Sequence, residues 1–351
     1  MENDQFSDLL IRWYQVNKRD LPWRFTKNPY LIWLSEIILQ QTRVQQGLQY
    51  YNKFVEAYPT VDALAKADIQ QVLRLWQGLG YYSRARNLHS CAQLIVQNYG
   101  SKFPTTYEEL LKLKGVGQYT AAAIASFAFK AVVPVVDGNV YRVLARIFGI
   151  KNDINASTSK KVFFDLAATL ISDSDPDLFN QAIMEFGALH CTPKKPFCID
   201  CPFSHSCYAF QNKAQNVLPV KLKKIKKKIR YLNYLVYKCN NKIVMKQRKA
   251  GDIWEGLFDF NLYESKATIN EVELLDVITE QLGHANFTYL NSSREYKHVL
   301  THQTIFARFH TIELGKKENS QHIEGALYNN NQIKDLPKPI LVNNYLNEAI
   351  F

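Results

Sequence analysis

The fold is decided by the stretch PTTYEELLKLKGVGQYTAAAIASFAF, Pro104–Phe129. Apolar residues at helical spacing lead to a Gly-Val-Gly turn at Gly115–Gly117, and an alanine-rich run follows. Two glycines one residue apart give a turn the backbone freedom that side chains exclude. The stretch therefore predicts two helices joined by a tight turn. The N–H groups at the start of the second helix suit a phosphate, although an ordinary helical hairpin has the same pattern.

The same helical periodicity extends over the N-terminal part of the chain on both sides of this turn. The segments are of helical length and are bounded by proline, glycine or aspartate. They cover residues 29–58, 67–80, 82–100, 159–171 and 177–189. We therefore expect an all-α domain over residues 1–212.

The sequence changes character after a basic segment. Residues 213–230 contain eight lysines and arginines and no acid. Beyond them, residues 231–247 have the pattern of two strands across an Asn-Asn turn, His302–Leu314 that of another strand, and residues 268–283 that of a helix. We therefore expect a basic linker over residues 213–230 and a smaller α+β domain over residues 231–351.

Composition limits the partners and the compartment. With 351 residues, 47% of them hydrophobic, the chain can bury two cores. The formal net charge of +11 is concentrated in the linker, where a solvated tether is the simplest explanation, but such charge also attracts nucleic acid. No apolar run has the length of a membrane span. We expect a soluble, cytoplasmic monomer that binds nucleic acid and no membrane.

Four of the six cysteines lie close together near the end of the helical part. Cys191, Cys198, Cys201 and Cys207 have the spacing C-x6-C-x2-C-x5-C in HCTPKKPFCIDCPFSHSC. In an intracellular protein such a cluster indicates a metal site and not disulfides. Four thiolates can bind either zinc or an iron-sulfur cluster, and the spacing leaves that choice open.

Two carboxylates are candidates for acid-base chemistry. Glu36 lies in YLIWLSEIILQ, which is apolar almost all round, so its side chain is buried or faces a cleft. Desolvation raises the pKa of such a group towards that of a general acid, unless it pairs with a buried arginine such as Arg24. Asp137 ends the apolar segment VVPVVD and is placed as the N-cap of a helix, which is its structural alternative to a catalytic role.

Together these features resemble the helix-hairpin-helix DNA glycosylase superfamily, in the branch with an iron-sulfur cluster, and most of all the MutY-type adenine DNA glycosylases. The resemblance is carried by LPWR at 21–24, WLSEIILQQTRV at 33–44, GLGYYSRARNL at 78–88, GVGQYTAAA at 115–123, VDGNVYRVLAR at 136–146 and the cysteine set. It implies one [4Fe-4S] cluster on the four cysteines. It also implies that the substrate is double-stranded DNA with an 8-oxoguanine:adenine mispair, from which a flipped adenine is removed at the nucleoid.

The resemblance assigns roles to single residues. Glu36 would protonate adenine and later activate water, Asp137 would stabilise the cationic sugar, and Tyr119 and Asn139 would orient these groups. The remaining positions match an adenine pocket (Arg24, Leu39), DNA contacts (Gln41, Thr42, Tyr81, Gly115, Val116, Gly117) and 8-oxoguanine recognition (Gln41). Carbonyls of the glycine turn would be able to hold a structural metal ion.

The C-terminal domain is similar to nudix domains but is not expected to be a hydrolase. Residues 245–264 are similar to the start of a nudix fold, but the chain has no nudix hydrolase box, so we expect this domain to bind and not to hydrolyse. The related glycosylases carry Phe-Ser-His in a loop that recognises 8-oxoguanine. This chain has Leu300, Thr301 and His302 at the corresponding place, with leucine in the position of the aromatic residue.

Two other functions fit parts of the pattern. An endonuclease III type glycosylase with lyase activity needs a lysine nucleophile at the position of Tyr119, and a phenol cannot form the imine. We therefore expect a monofunctional enzyme. A non-catalytic DNA-binding regulator that senses redox state through its cluster is the second alternative, and the presence of both Glu36 and Asp137 argues against it.

Overall fold

A computed structural model describes residues 3–222, 227–283, 286–315 and 323–351. The chain divides into two compact units. The first unit comprises Met1–Lys66 and Asn87–Lys223, and the second comprises Ala67–Arg86 and Lys224–Phe351. Lys223–Lys226 of the predicted linker lie outside the described residues. Within the described ranges, no helix combines the length and the apolar character needed to cross a membrane.

Twelve α-helices precede the sheet in the described residues, and those within the predicted segments are confirmed. They are α1 (Asn3–Asn17), α2 (Pro29–Leu39), α3 (Val44–Ala57), α4 (Val61–Lys66), α5 (Ile69–Trp76), α6 (Ser83–Tyr99), α7 (Tyr107–Leu110), α8 (Gln118–Phe129), α9 (Gly138–Phe148), α10 (Ser157–Leu170), α11 (Pro176–Leu189) and α12 (Tyr208–Gln211). Of these, α1, α4 and α12 were not predicted. One predicted stretch, 29–58, is divided between α2 and α3. Gln41 adopts a left-handed φ of 55° at the break, and no helix continues through such a residue.

The hairpin that contains the glycine turn is confirmed as helix, turn and helix, although its first helix is short. Thr106 caps α7 by accepting the Glu109 N–H, and α7 then passes through turns to Gly117, the N-cap of α8. Gly115 has φ of +78°, and a Cβ there would lie 2.8 Å from the Cβ of Asn87. Both conformation and close approach therefore require glycine at this position.

Large aromatic side chains form the main core of the first unit. Five phenylalanines are fully buried in one cluster: Phe6 of α1, Phe163 of α10, Phe179 and Phe186 of α11, and Phe203 between Cys201 and Cys207. The α2 and α8 helices pack against each other, and residues 120–127 of α8 are all buried. Small alanines on α8 permit this close packing of two helices. This packing brings Glu36 of α2 next to Tyr119 of α8.

The second unit contains a mixed sheet with helices, as expected for a nudix-like domain. Its strands are β1 (Lys228–Cys239), β2 (Lys242–Gln247), β3 (Phe258–Asp259), β4 (Asn261–Ser265), β5 (Phe287–Ser292), β6 (Tyr296–Val299), β7 (Gln303–Leu314) and β8 (Ala326–Tyr328). The order β3-β2-β1-β7-β5 forms the central path, with β4 on β1, β6 on β7 and β8 on β2. Only the β1–β7 pair is parallel among the described strands.

Helices cover the two faces of this sheet. They are α13 (Glu271–Leu282), α14 (Asn330–Asp335) and α15 (Ile340–Ala349). Ile278 of α13 is buried in one core cluster with Leu235 of β1 and Ile312 of β7. Tyr345 of α15 stacks on Phe309 of β7 with ring centroids 4.0 Å apart. The predicted Asn-Asn turn joins β1 to β2 with left-handed φ at both Asn240 and Asn241, which suits a two-residue hairpin.

Residues 67–86 belong to the second unit, whereas the sequence placed them in a continuous domain over residues 1–212. Three contacts explain the difference. A Cβ on Gly256 would lie 3.3 Å from Leu73 of α5, the Gln77 carboxamide accepts the Lys338 N–H (3.2 Å), and Arg86 donates to the Glu255 carbonyl (2.9 Å). Helical periodicity reports local structure, so it cannot reveal which core a helix joins.

Candidate active site

A cavity of about 200 Å³ in the first unit contains both candidate carboxylates. The side chains in its wall come from α2, α8, α11, the start of α9 and the turn at Pro22–Arg24. They include Glu36, Tyr119, Asp137, Asn139, Arg24, Leu39, Thr42 and Glu185. The predicted catalytic and adenine-pocket residues are therefore brought together in one place. A wider groove of about 1030 Å³ opens beside it and is also lined by Glu36, Tyr119 and Asp137.

Glu36 is a buried acid that is hydrogen-bonded to the side chain of Tyr119. Its side chain is 5% exposed, and the Tyr119 hydroxyl donates to Glu36 Oε2 at 2.6 Å. Burial raises the pKa of Glu36 to about 7, and the charge of Asp137 adds to this effect, whereas the Tyr119 hydrogen bond opposes it. A large fraction of Glu36 is therefore protonated near neutral pH, as a general acid requires.

Asp137 is the N-cap of α9, as predicted, and its carboxylate is held by three donors. Oδ1 accepts the N–H groups of Asn139 and Val140, both at 2.8 Å, and Oδ2 accepts the Asn139 side-chain amide at 2.7 Å. Burial raises the pKa of Asp137, and these hydrogen bonds oppose the rise. These bonds favour the charged form of Asp137, whereas Glu36 accepts the Tyr119 hydroxyl, so the two carboxyls lie in different hydrogen-bond environments.

The segment that ends at Asp137 is clamped by a side chain from α11. The Asn180 carboxamide accepts the Val135 N–H and donates to the Val133 carbonyl and the Ser126 hydroxyl, each at 2.9 Å. This extended segment thus has its polar groups satisfied although Asn180 is fully buried. The position of Asp137 therefore depends on α11 as well as on α9.

Asn139 is fixed from two further sides. The Arg142 guanidinium donates to Asn139 Oδ1 (2.8 Å) and also to the carbonyls of Gly187 (2.7 Å) and Cys191 (2.8 Å). A Cβ on Gly187 would lie 2.7 Å from the Asn139 Cβ, so glycine permits the close approach of α11. A continuous set of hydrogen bonds thus runs from Asp137 through Asn139 and Arg142 to the cysteine loop.

Arg24 pairs with an acid that the sequence analysis missed. Its guanidinium donates to both carboxylate oxygens of Glu185 at 2.8 and 2.7 Å, and Arg19 binds the same carboxylate. Burial would raise the pKa of Glu185, but the hydrogen bonds from Arg19 and Arg24 lower it to about 2. Arg24 is thus not the hydrogen-bond partner of Glu36. Glu185 lies in the mostly apolar helix PDLFNQAIMEFGAL, and this is the same signal that identified Glu36.

The predicted DNA-contacting residues of the first unit lie around the mouth of the cavity. Gln41 and Gly117 line the wider groove, and no side chain caps the N-terminus of α8. Its first N–H groups are therefore suited to an anion. Val116 differs from the expectation, because its N–H donates to the Leu113 carbonyl at 3.1 Å and its side chain is buried. The turn would bind a phosphate through its other amides.

The four clustered cysteines line a single cavity as free thiols. Arg146 donates to Cys191 Sγ at 3.4 Å and also to the carbonyls of Thr192 (2.7 Å) and Gln215 (2.7 Å), so one buried guanidinium organises the loop. Within the described residues, no three metal-ligating side chains converge on a point where one ion would bind. Four sulfurs around a shared cavity, with a cationic donor on one of them, suit a multi-atom thiolate-bound group.

Comparison with known proteins agrees with this arrangement. Residues 34–168 match the model of the HhH-GPD superfamily of base excision DNA repair proteins, and residues 233–348 match the NUDIX domain. Adenine DNA glycosylase of Buchnera aphidicola subsp. Baizongia pistaciae is 34% identical over 344 residues, which are 95% of this chain and 94% of the relative. The chain belongs to the adenine DNA glycosylase family.

Two further matches of this adenine DNA glycosylase family member cover about three fifths of the chain. The human adenine DNA glycosylase is 43% identical over 222 residues, which cover 61% of this chain and 41% of the human protein. A thermostable thymine-DNA glycosylase of known structure has a TM-score of 0.55 at 31% identity, over 59% of this chain and 96% of its own. An endonuclease III in a DNA complex has a TM-score of 0.51 at 21% identity and shares the fold.

The second unit of this family member brings the predicted lesion-recognition residues together. Leu300, Thr301 and His302 form the tip of the β6–β7 hairpin, which is closed by the Leu300 N–H on the Gln303 carbonyl (2.8 Å). Thr301 and His302 are exposed, whereas Leu300 is half-buried. The Tyr81 hydroxyl hydrogen-bonds to the Thr301 hydroxyl, and the Tyr81 side chain is 42% exposed. Two residues 220 positions apart in sequence therefore present one surface.

The hydrogen bond between Tyr119 and Glu36 gives a prediction about pH dependence. With Glu36 as the general acid, the rate of excision is expected to fall as pH rises through the Glu36 pKa of about 7. Tyr119→Phe removes a hydrogen bond that stabilises the ionised carboxylate, so the pKa should rise and the falling limb should move to higher pH. The single-turnover excision rate as a function of pH measures this shift. A limb that stays in place or moves to lower pH would contradict the assignment.

Proposed function

We propose that the protein removes adenine mispaired with 8-oxoguanine by hydrolysing the N-glycosidic bond of a flipped adenosine, without strand cleavage. The observation that carries this proposal is the pair formed by Glu36 and Asp137 in one buried cavity, with different hydrogen-bond environments. Membership of the adenine DNA glycosylase family supports adenine as the base.

The chemistry follows from the two environments. Adenine leaves poorly as an anion, so Glu36 donates its proton to N7 of the base while the C1′–N9 bond breaks and the bonding electrons move to adenine. The sugar becomes oxocarbenium-like, and the ionised carboxylate of Asp137 stabilises this positive charge. Water then attacks C1′ and gives its proton to Glu36, which restores the starting state. The two carboxyls thus divide the work as in glycoside hydrolysis.

Tyr119 supports base removal without lyase chemistry. A lyase of this superfamily forms an imine between a lysine amine and C1′ of the sugar. Tyr119 occupies that position, its pKa is raised well above the usual value by burial, and it donates to Glu36. A neutral, buried phenol fits the orientation of the general acid and not nucleophilic attack.

The hairpin tip of the second unit supports recognition of the lesion. 8-Oxoguanine differs from guanine at N7 and C8, so a site that distinguishes the two bases needs polar groups that hydrogen-bond to this edge. Thr301 and His302 provide a hydroxyl and an imidazole, both exposed. Tyr81, which is hydrogen-bonded to Thr301, would enter the base stack beside the lesion, and Gln41, in the wall of the wider groove, would contact the opposing base.

Cys191, Cys198, Cys201 and Cys207 would hold a [4Fe-4S] cluster. The cluster would supply structural support for the loop that carries Lys194 and Lys195, which are exposed and suited to phosphates. Arg146 and Arg142 bind this loop through its carbonyls and so connect its conformation to Asn139. The glycine turn would bind a backbone phosphate, with a metal ion on its carbonyls.

Single-turnover excision from an 8-oxoguanine:adenine duplex tests the activity. The wild type should release adenine, and Glu36→Gln and Asp137→Asn should each slow release by about 10²-fold or more, since each removes a group that acts in the transition state. Borohydride should trap no more than a trace of covalent complex. Release that is independent of both carboxylates would refute the mechanism, and efficient trapping would indicate a lyase. Binding without any release would favour the regulator.

Lesion recognition has a separate test. A Thr301→Ala/His302→Ala double variant should lose most of its preference for 8-oxoguanine:adenine over guanine:adenine, by about tenfold, because two hydrogen bonds to the lesion are removed. Its first-order rate on bound duplex should change less than its affinity. Retention of the full preference would exclude the hairpin tip as the reader. Ser293→Ala, outside the tip, serves as a control for general effects on the second unit.

The cluster is tested by analysis of iron and acid-labile sulfide. The anaerobically purified wild type should contain about four of each per chain, with visible absorption of a thiolate-bound cluster. Cys198→Ser should lower both contents, whereas Cys91→Ser, a buried cysteine outside the loop, should leave them unchanged. Stoichiometric zinc in place of iron would show that the site holds a different metal.

A further inference from the structure

The loop that carries Tyr81 has an unusual backbone. Gly78 and Gly80 have φ values of 103° and 73°, and Tyr81 itself has φ of 49°. Left-handed conformations are unfavourable for a residue with a large side chain unless the surroundings hold them. Tyr81 is nevertheless 42% exposed, so burial of its ring does not fix this conformation. Another interaction must therefore hold the Tyr81 ring in the position in which its hydroxyl bonds to Thr301.

Arg84 supplies that interaction. Its guanidinium lies 5.0 Å from the ring centroid of Trp76 and 5.7 Å from that of Tyr81, within the range of cation–π contacts on both sides. The Nη2 group also donates to the carbonyls of Leu79 (3.3 Å) and Gly80 (3.2 Å). Burial lowers the pKa of Arg84 to about 10, so the side chain is still charged at neutral pH.

Trp76 also contacts the guanidinium, and we call the set formed by Trp76, Arg84 and the Gly80 carbonyl the clamp. It is the last residue of α5 and is fully buried, and its indole Nε1 donates to the Gly80 carbonyl at 3.0 Å. The Gly80 carbonyl thus accepts from both Trp76 and Arg84. The buried ring of Trp76 positions the guanidinium, and the guanidinium in turn contacts the exposed ring of Tyr81.

We propose that Arg84 is a positioning residue that pre-organises Tyr81 for reading the lesion. The inference rests on the proposed role of Tyr81 as the residue that enters the stack. A planar guanidinium can stack between two rings and donate to two carbonyls at once, and an ammonium cannot reproduce this geometry. Arg84 therefore lowers the entropic cost of ordering Tyr81 upon binding, so it contributes to affinity for the lesion and not to the bond-breaking step.

The attachment of the segment to the second unit does not depend on Arg84. Gln77 accepts the Lys338 N–H at 3.2 Å, the Tyr82 hydroxyl donates to the Lys338 carbonyl at 3.5 Å, and Arg86 binds Glu255 through both its carbonyl and its carboxylate. These contacts anchor the segment on either side of the clamp. A change at Arg84 should therefore release Tyr81 without detaching the segment.

The full-length protein with its cluster is used for the test, and Arg84→Lys is compared with Arg86→Lys. Both replace arginine by lysine in the first turn of α6, but Arg84 lies against the Tyr81 ring, whereas Arg86 binds Glu255. Arg84→Lys should weaken binding to an 8-oxoguanine:adenine duplex by about five- to tenfold and leave the excision rate at saturating enzyme within about twofold. Arg86→Lys should leave both quantities close to wild type.

A second readout reports the wedge directly. 2-Aminopurine placed beside the 8-oxoguanine gains fluorescence when a side chain separates it from its neighbour. Arg84→Lys and Tyr81→Ala should both reduce this gain, and Arg86→Lys should not. Should Arg84→Lys melt well below the wild type, Trp76→Phe, which removes the indole N–H bonded to the Gly80 carbonyl and shortens the ring beside Arg84, tests the same contacts with the same expected loss of signal.

The outcomes separate the inference from the function on which it rests. If Tyr81→Ala binds the lesion and unstacks 2-aminopurine like the wild type, the role of Tyr81 is wrong and Arg84 has nothing to position. If Tyr81→Ala is impaired but Arg84→Lys and Trp76→Phe match the wild type, the Arg84 inference is overturned while the role of Tyr81 stands. An excision rate that falls as much as affinity in Arg84→Lys would also overturn a purely positioning role.

Discussion

The burial of one carboxyl group, Glu36, sets the requirements that the rest of the first unit meets. Raising its pKa to about 7 corresponds to roughly 3 kcal/mol of interaction disfavouring the ionised form. The close packing of α2 on α8 provides the dry surroundings and also places the Tyr119 hydroxyl at Glu36 Oε2. The packing free energy of the α2–α8 pair thus offsets the cost of keeping Glu36 out of water, where its carboxyl would be ionised at neutral pH.

The second carboxyl, Asp137, is held by more hydrogen bonds. Burial raises its pKa as well, but three donors oppose the rise, and two of them are backbone amides that α9 leaves unpaired at its N-terminus. A structural capping interaction therefore also prepares the electrostatic group. The hydrogen bonds from Asn139 through Arg142 to the Cys191 carbonyl extend this arrangement over two helices and a loop. Displacement of any of these elements would change the geometry at Asp137.

Much of this could be predicted from sequence where the signal is local. The glycine turn, the capping position of Asp137 and the apolar surroundings of Glu36 are each encoded by a few adjacent residues, and the structure has all three. The pairing of Arg24 with Glu185 could not be predicted in the same way, because the two lie 161 positions apart and several arginines were available. The use of the Val116 amide within the turn also depends on exact backbone geometry that composition does not report.

The membership of residues 67–86 in the second unit has a consequence for how the chain folds. The second unit is discontinuous in sequence, since residues 87–223 separate its two parts. During synthesis from the N-terminus, α5 emerges long before Gly256 and Lys338, which this segment contacts in the second unit. The two parts of the second unit must then come together although residues 87–223 lie between them. The entropic cost of closing such a segment rises only slowly with its length. The second unit is therefore completed late in biosynthesis, after the helices that carry the two carboxyls have already been made.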